Sequence, residues 1–221
     1  MTVLVTGIGG VIGQILSQGL KPPLLHWDQP LLDVRAYHDV LNEMQGHRAV
    51  VHLAWDMGAG DASGGARHAD NMLMTLNVYR AAVGAGVSRV VMASSVHADR
   101  FTDRALDGLL RPYDLPRPDG AYGAAKCFME ALGRYYADTH GLEVVCIRFG
   151  GVNPDDVPPT AGDISQQVWL SHRDCVDLVA RCLAAPEIPD RYAIVYAVSD
   201  NTGRRHDIGN PFGWVPQDGA R

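Results

Sequence analysis

Five stretches of the 221-residue chain are apolar and β-branched with no polar alternation: TVLVTG at 2–7, AVVHLA at 49–54, RVVMAS at 89–94, LEVVCIRF at 142–149 and YAIVYAV at 192–198. A strand with one face in water alternates apolar and polar residues. Strands that do not alternate are covered on both faces. PLLHWD at 23–28 reads as a further strand and LLDV at 31–34 as a short third one. Helical spacing fills the intervals. GVIGQILSQGL covers 10–20, and Val34, Tyr37, Leu41 and Met44 mark about 35–45. Met72, Leu76, Tyr79 and Val83 mark 68–84, and a further helix covers 122–139. SHRD at 171–174 has the form of a capping box, opening a helix that Pro186 limits to about Ala185. Strands alternating with helices predict an α/β fold, a doubly wound parallel sheet with right-handed crossovers, in one domain over 1–221. Ligands of such sheets sit beyond the carboxyl ends of the strands. Three loops follow strands there: 57–66, 99–120 and 151–163. No periodicity follows Ser199, so no regular structure is expected in the tail.

Charge narrows the partners. The chain carries 25 acidic and 19 basic side chains, net −6, with no Lys/Arg-rich run. Neither nucleic acid nor an anionic membrane is expected as a partner. No apolar run reaches membrane-spanning length, and MTVLVTG enters a strand directly, so a cytoplasmic protein is expected. Cys127, Cys146, Cys175 and Cys182 lie in apolar patterns without C-x-x-C spacing, and no two histidines have ligand spacing on a helix. Free buried thiols and no metal site are expected.

The first strand ends in TGIGGVIG, and a helix follows at once. That context makes the loop Gly7, Ile8, Gly9, Gly10, Val11, Ile12 and Gly13 a candidate dinucleotide cradle of Rossmann type. Gly7 permits the tight turn, Gly10 lets a pyrophosphate approach, and Gly13 lets the helix pack against the strand. The helix N-terminus then offers free N–H groups to phosphate. Asp28 ends the second strand, 21 residues after Gly7. A carboxylate there accepts from the ribose hydroxyls and repels a 2′-phosphate, which favours NAD over NADP. Asp33 is placed either to contact the adenine edge or to serve as a turn or cap residue.

AYGAAKC, from Ala121, sets Tyr122 and Lys126 one turn apart on one helix face. A phenol removes an alcohol proton only as phenolate, and a neighbouring ammonium favours that form. Ser95, at the end of its strand, is placed to hold the substrate oxygen. Glycine loop, acid, strand-ending serine and Tyr-x-x-x-Lys in that order predict an oxidoreductase centred on Ser95, Tyr122 and Lys126.

These motifs resemble the extended short-chain dehydrogenase/reductase family, in its NAD-dependent epimerase/dehydratase branch. T-G-x-x-G-x-x-G matches Thr6 to Gly13, and Y-x-x-x-K matches Tyr122 and Lys126. VVHLA at 50–54 looks like the family's cofactor wall, with Leu53 and Ala54 in it and Trp55 beside it. Asn71, Thr75 and Asn77 look like its N-x-x-x-T-x-N helix, with Asn71 on the cofactor side. Within the branch, ASSVH, RPDGAYGAAKCFMEALGRYYAD, VCIRFG, WLSHRDCVDLV and IVYAVSDNT are most similar to the uronate dehydrogenase group. The resemblance implies Tyr122 as general base and Lys126 as its tuning cation and ribose ligand. It implies Ser95 and His97 as substrate contacts. It further implies a small sugar-like substrate, and a homodimer or larger homo-oligomer paired through helices 68–84 and 122–139.

Three positions depart from that group. Val96 replaces an Asn, Gly151 replaces a Ser, and Ile164 falls where a carboxylate-gripping Arg is expected. Arg100, Arg111 and Arg117 are candidate replacements. Little chain follows strand 142–149, so the C-terminal substrate-binding part is small, drawn from 96–120, 151–170 and 199–221. Two alternatives stand beside a dehydrogenase: an epimerase or dehydratase that recycles its NAD, and a non-catalytic dinucleotide sensor. His52 reads as a packed core residue, His172 as local structure, Trp169 as a core anchor and Arg148 as a salt-bridge partner. Trp55 and Asp56 are placed to line the nicotinamide side.

Overall fold

The structure is a computed structural model, and it describes residues 2–20, 25–27, 32–56, 65–102 and 108–221. Six parallel strands form one sheet: β1 Val3–Thr6, β2 Leu25–Trp27, β3 Ala49–His52, β4 Arg89–Ser95, β5 Glu143–Phe149 and β6 Tyr192–Ala197, in the order β2-β1-β3-β4-β5-β6. Among the described residues, five α-helices cover it: α1 Val11–Gly19, α2 Tyr37–Glu43, α3 Gly65–Gly84, α4 Ala121–His140 and α5 His172–Ala184. Consecutive parallel pairing runs Val5 to Val51, Val51 to Val91, Val91 to Val145 and Val145 to Ala193. That row explains why the strands read as unbroken apolar runs, because both faces are packed. Val3, Val5, Val51, Val145 and Val195 face α1 and α5, with Leu16, Leu178 and Val179. Leu4, Val50, Val90 and Cys146 face α2, α3 and α4, with Val40, Val78 and Met129.

The chain leaves β1 and β3 on opposite sides of the sheet, so their carboxyl ends open a crevice between them. Of the expected short third strand at 31–34, the described residues 32–34 form no strand. Among the described residues of that segment, Asp33 opens a turn instead. Its carboxylate accepts from the Arg35 N–H at 3.0 Å, and its carbonyl accepts from the Ala36 N–H at 2.8 Å. A short acidic side chain that satisfies nearby N–H groups competes with a strand ladder and ends it. Among the described residues, no helix is long and apolar enough to cross a membrane.

The tail after Ser199 has no helix or strand, but it is firmly held. Ser171 caps α5 by accepting from the Asp174 N–H, as SHRD predicts. The return half of a capping box is missing, because the Asp174 carboxylate turns to the tail. It accepts from the Ser199 hydroxyl at 2.6 Å and from the N–H groups of Gln217 and Asp218 at 2.7 and 3.2 Å. Trp214 and Ala220 are buried in consequence.

Candidate active site

A cleft of about 300 Å³ opens at the carboxyl ends of β1, β3, β4 and β5. Its first wall is the glycine loop. Gly7 has φ +79°, and a Cβ there would lie 2.5 Å from the Ala54 nitrogen. At Gly13 a Cβ would lie 2.6 Å from the Gly7 oxygen, so the loop and α1 touch backbone to backbone. Gly10 ends the turn through its N–H to the Gly7 carbonyl at 3.1 Å, and no side chain caps α1. The helix therefore presents unsatisfied N–H donors to the cleft, as a pyrophosphate cradle needs. Gly10, Val11 and Ile12 line the cleft with Gly7 and Gly13. Ile8 and Gly9 are not among its walls, and nothing lies within 4 Å of the position a Gly9 Cβ would take.

The second wall follows β3. Leu53 and Trp55 line the cleft, while Ala54 backs onto Gly7. Asn71, buried on α3, does not reach the cleft. Its amide oxygen accepts from the Asp56 N–H at 2.8 Å and its amide nitrogen donates to the Asp56 carbonyl at 3.1 Å, so it holds the loop that carries Trp55. Asn77 likewise holds the segment after β2, donating to the carbonyls of Val34 and Arg35. Asp33 is exposed and bound to Arg35. Asp28 lies outside the described residues.

The third wall carries the proposed chemistry. Ser95, Tyr122 and Lys126 all line the cleft. Burial pushes the pKa of the Tyr122 phenol above its ordinary value, and the Ser95 hydroxyl beside it pulls it part of the way back. Lys126 is wholly buried. Its Nζ donates to the Ala93 carbonyl at 2.7 Å and stands 3.5 Å from the centre of the Trp55 ring. Burial holds its pKa down at about 7, while the Glu130 carboxylate pulls it up. His52, beneath, is buried and accepts or donates at Nδ1 to the Thr6 hydroxyl at 2.7 Å. Burial, and then the Lys126 charge, drop its pKa to about 3, so the imidazole is neutral.

His97 lies beside Tyr122, ring centres 5.6 Å apart, with Nδ1 2.8 Å from the Asp119 carboxylate. Asp119 had no role in the sequence reading. Gly123 was missed too: a Cβ there would overlap the His97 carbonyl oxygen, so α4 docks directly on the turn after β4. Phe149, Gly150 and Val152 complete the cleft beyond β5. The paired glycines of FGG were the available signal, since a Cβ at Gly150 would overlap the Val168 carbonyl.

Val96 and Ile164, two of the three departures, meet in one apolar cluster with Phe101, Val168, Tyr196 and Val198. Gly151 is exposed and pairs with Trp169 as an isolated bridge. Arg100, Arg111 and Arg117 are exposed and do not line the cleft. His172 ties the 151–163 loop to α5, its Nε2 2.8 Å from the Asn153 carbonyl. Trp169 is buried, and Arg148 is a fully buried ion-pair partner.

The profile of the NAD dependent epimerase/dehydratase family matches residues 3–152. A NAD-dependent glucose-6-phosphate dehydrogenase from Haloferax volcanii is 34% identical over 99% of this chain and 94% of its own length. An L-arabinose 1-dehydrogenase (NAD(P)(+)) from the same organism is 34% identical over 91% of this chain and 89% of its own. The solved uronate dehydrogenase from Agrobacterium tumefaciens, as a mutant complexed with NAD, superposes with a TM-score of 0.82 at 28% identity. That superposition covers 99% of this chain and 85% of the other. A glycine cradle, a strand-ending serine and a Tyr–Lys pair around one cleft agree with these matches, and the chain belongs to the NAD dependent epimerase/dehydratase family.

Proposed function

We propose that the protein is an NAD-dependent dehydrogenase of a free sugar, with Tyr122 as the general base. The observation that carries the reading is the single cleft shared by the glycine loop and by Ser95, Tyr122 and Lys126. The residues fit NAD: a Cβ at Gly7 or Gly13 would fill the cradle's tightest contacts, and the first turn of α1 has donors to spare. NAD would supply the hydride acceptor. Gly7, Gly10 and Gly13 would hold its pyrophosphate, with Leu53 and Trp55 on one side. Ser95 donates to the substrate oxygen and fixes it beside Tyr122. As the C–H bond gives up its hydride, the O–H proton passes to the Tyr122 phenolate, leaving a carbonyl, or a lactone if the hydroxyl is hemiacetal. Lys126 stabilises the phenolate.

The relatives' named substrates are a sugar phosphate, a neutral aldose and, in the solved structure, a uronate. Val96 and Ile164 sit in a buried apolar cluster and Arg100, Arg111 and Arg117 stand away from the cleft, which supports an aldose without a carboxylate over a uronate. The test is a panel of pentoses, hexoses, their phosphates and uronates, read by NADH absorbance. Net NADH with a free sugar is expected, and Tyr122→Phe should lower it at least ~10²-fold. Cofactor that is only recycled, or a fully active Tyr122→Phe, would overturn the proposal.

A further inference from the structure

The stripe that holds Tyr122 and Lys126 on α4 continues one turn further to Glu130, which is buried. Its three members meet three successive residues at the end of β4. Tyr122 stands beside Ser95, Lys126 donates to the Ala93 carbonyl at 2.7 Å, and the Glu130 Oε1 accepts from the Ser94 hydroxyl at 2.5 Å. The far side of Glu130 is taken by Arg148 of β5, whose Nε and Nη2 donate to it at 2.8 and 2.7 Å. Arg148 also donates to Asp99 at 2.7 Å, and Asp99 accepts from the Tyr196 hydroxyl. Two cations, Lys126 and Arg148, thus stand over two carboxylates, Glu130 and Asp99, all withdrawn from water. Arg148 is shared by Glu130 and Asp99, so the two carboxylates carry one more negative charge than Arg148 neutralises, and Glu130, one turn from Lys126 along α4, also acts on Lys126.

We infer that Glu130 is the counter-charge of Lys126, a positioning residue that holds the Tyr122–Lys126 pair in its phenolate–ammonium form. The inference rests on the function proposed above. After the pair has lost one proton, the remaining one sits either on Tyr122 or on Lys126. The two arrangements have equal net charge and differ only in where the positive end lies. A carboxylate one turn from Lys126 and two turns from Tyr122 favours the ammonium, and so the phenolate that can act as base. The other titratable groups around Lys126 do not supply that charge. His52 on β3 is neutral, and the Cys146 thiol on β5 is pushed far up by burial. Around Glu130 itself, Tyr192 on β6 and Tyr79 on α3 are phenols whose pKa values burial raises.

Glu130→Gln keeps the shape and the acceptor for Ser94 and removes the charge. A more positive surrounding releases the pair's first proton earlier, so the rising limb of kcat against pH should move down by about one unit. The remaining proton shifts toward Tyr122, so the plateau should fall about tenfold or more. Glu130→Asp keeps the charge and should keep the limb in place, even if the shorter arm lowers the plateau. Should Glu130→Gln fail to fold by circular dichroism, its combination with Arg148→Met and Asp99→Asn removes the whole buried ion cluster, two negative charges and one positive, and with the same net loss of one negative charge carries the same expectation. The Lys126 Nζ titration, read by NMR in [15N]lysine-labelled protein, should fall by the same unit in the Gln variants without any turnover. That readout keeps the inference separate from the substrate reading. A lowered plateau with limb and Nζ midpoint unmoved would reduce Glu130 to a structural residue and overturn the inference.

Discussion

Gly123 offers a direct test of how closely the base must be placed. It is the third residue of α4, next to Tyr122, and the helix start rests on the turn after β4. In Gly123→Ala the new Cβ would overlap the His97 carbonyl oxygen and lie 2.8 Å from its carbonyl carbon and 3.1 Å from the Pro118 Cβ. Carbon atoms pack comfortably at about 3.5–4.0 Å, so α4 or the 96–98 turn must retreat by about 1 Å. Both the approach of Tyr122 to Ser95 and the His97–Asp119 pair span that joint. A 1 Å misplacement costs roughly 10²-fold in rate, and that is the expected fall in kcat, measured by NADH formation on the parent's best sugar. Stability is a contest between two terms. Alanine gains about 1 kcal/mol of helix propensity over glycine, while overpacking costs about 1–3 kcal/mol. The net expectation is a loss of about 1 kcal/mol, a Tm lower by roughly 2–4 °C. A variant within threefold of the parent rate, with Tm unchanged or raised, would refute the claim that this contact sets the position of Tyr122.

Other perturbations follow from the same geometry. Gly7→Ala, strained by φ +79° and by a contact at 2.5 Å to the Ala54 nitrogen, should weaken NAD binding at least tenfold by fluorescence titration. Asn71→Ala should weaken NAD binding severalfold in the same titration while the fold stays intact by circular dichroism, because both amide arms hold the loop of Trp55. Arg89 donates to the carbonyls of Cys182, Leu183 and Ala185 at the end of α5 and pairs with Glu143 at 2.6 Å. Arg89→Ala should therefore lower stability by about 3–5 kcal/mol in urea unfolding, with little change in KM. His52 and His206 are both held neutral by burial, with pKa values near 3. Their contribution is complete above the unfolded value of about 6.5 and falls by about 1.4 kcal/mol per histidine for each pH unit below it. Urea midpoints should drop between pH 7 and pH 5, and less steeply in His206→Phe.

The parallel sheet and the cleft residues on the glycine loop, β4 and α4 were legible because each depends on local pattern. Unbroken apolar runs, glycines at a strand–helix turn and a four-residue helix spacing leave marks within a few positions. The remainder depends on chain segments that meet only in the fold. Asp174 looked like half of a capping box, but its carboxylate serves the N–H groups of Gln217 and Asp218, over forty residues away in a tail without periodicity. Val96 and Ile164 read as two separate departures, and their common cluster emerges only when the 164–168 turn packs against Tyr196. Asp33 could have been a contact to the adenine edge or a turn or cap residue; its hydrogen bonds to Arg35 are those of a turn. Arg148 was recognisable as an ion-pair partner, whereas Glu130 is a helix residue whose meaning comes from β5.

The Trp55 ring lies 3.5 Å from the Lys126 ammonium and 5.8 Å from the Tyr122 ring. An indole so close to a cation that titrates near pH 7 is an optical probe built into the cleft. Its emission is expected to change with the protonation of Lys126 and when a ligand enters beside it. Trp169 and Trp214 are buried away from the cleft, so Trp169→Phe and Trp214→Phe would lower the background over which the site reports its own state in light.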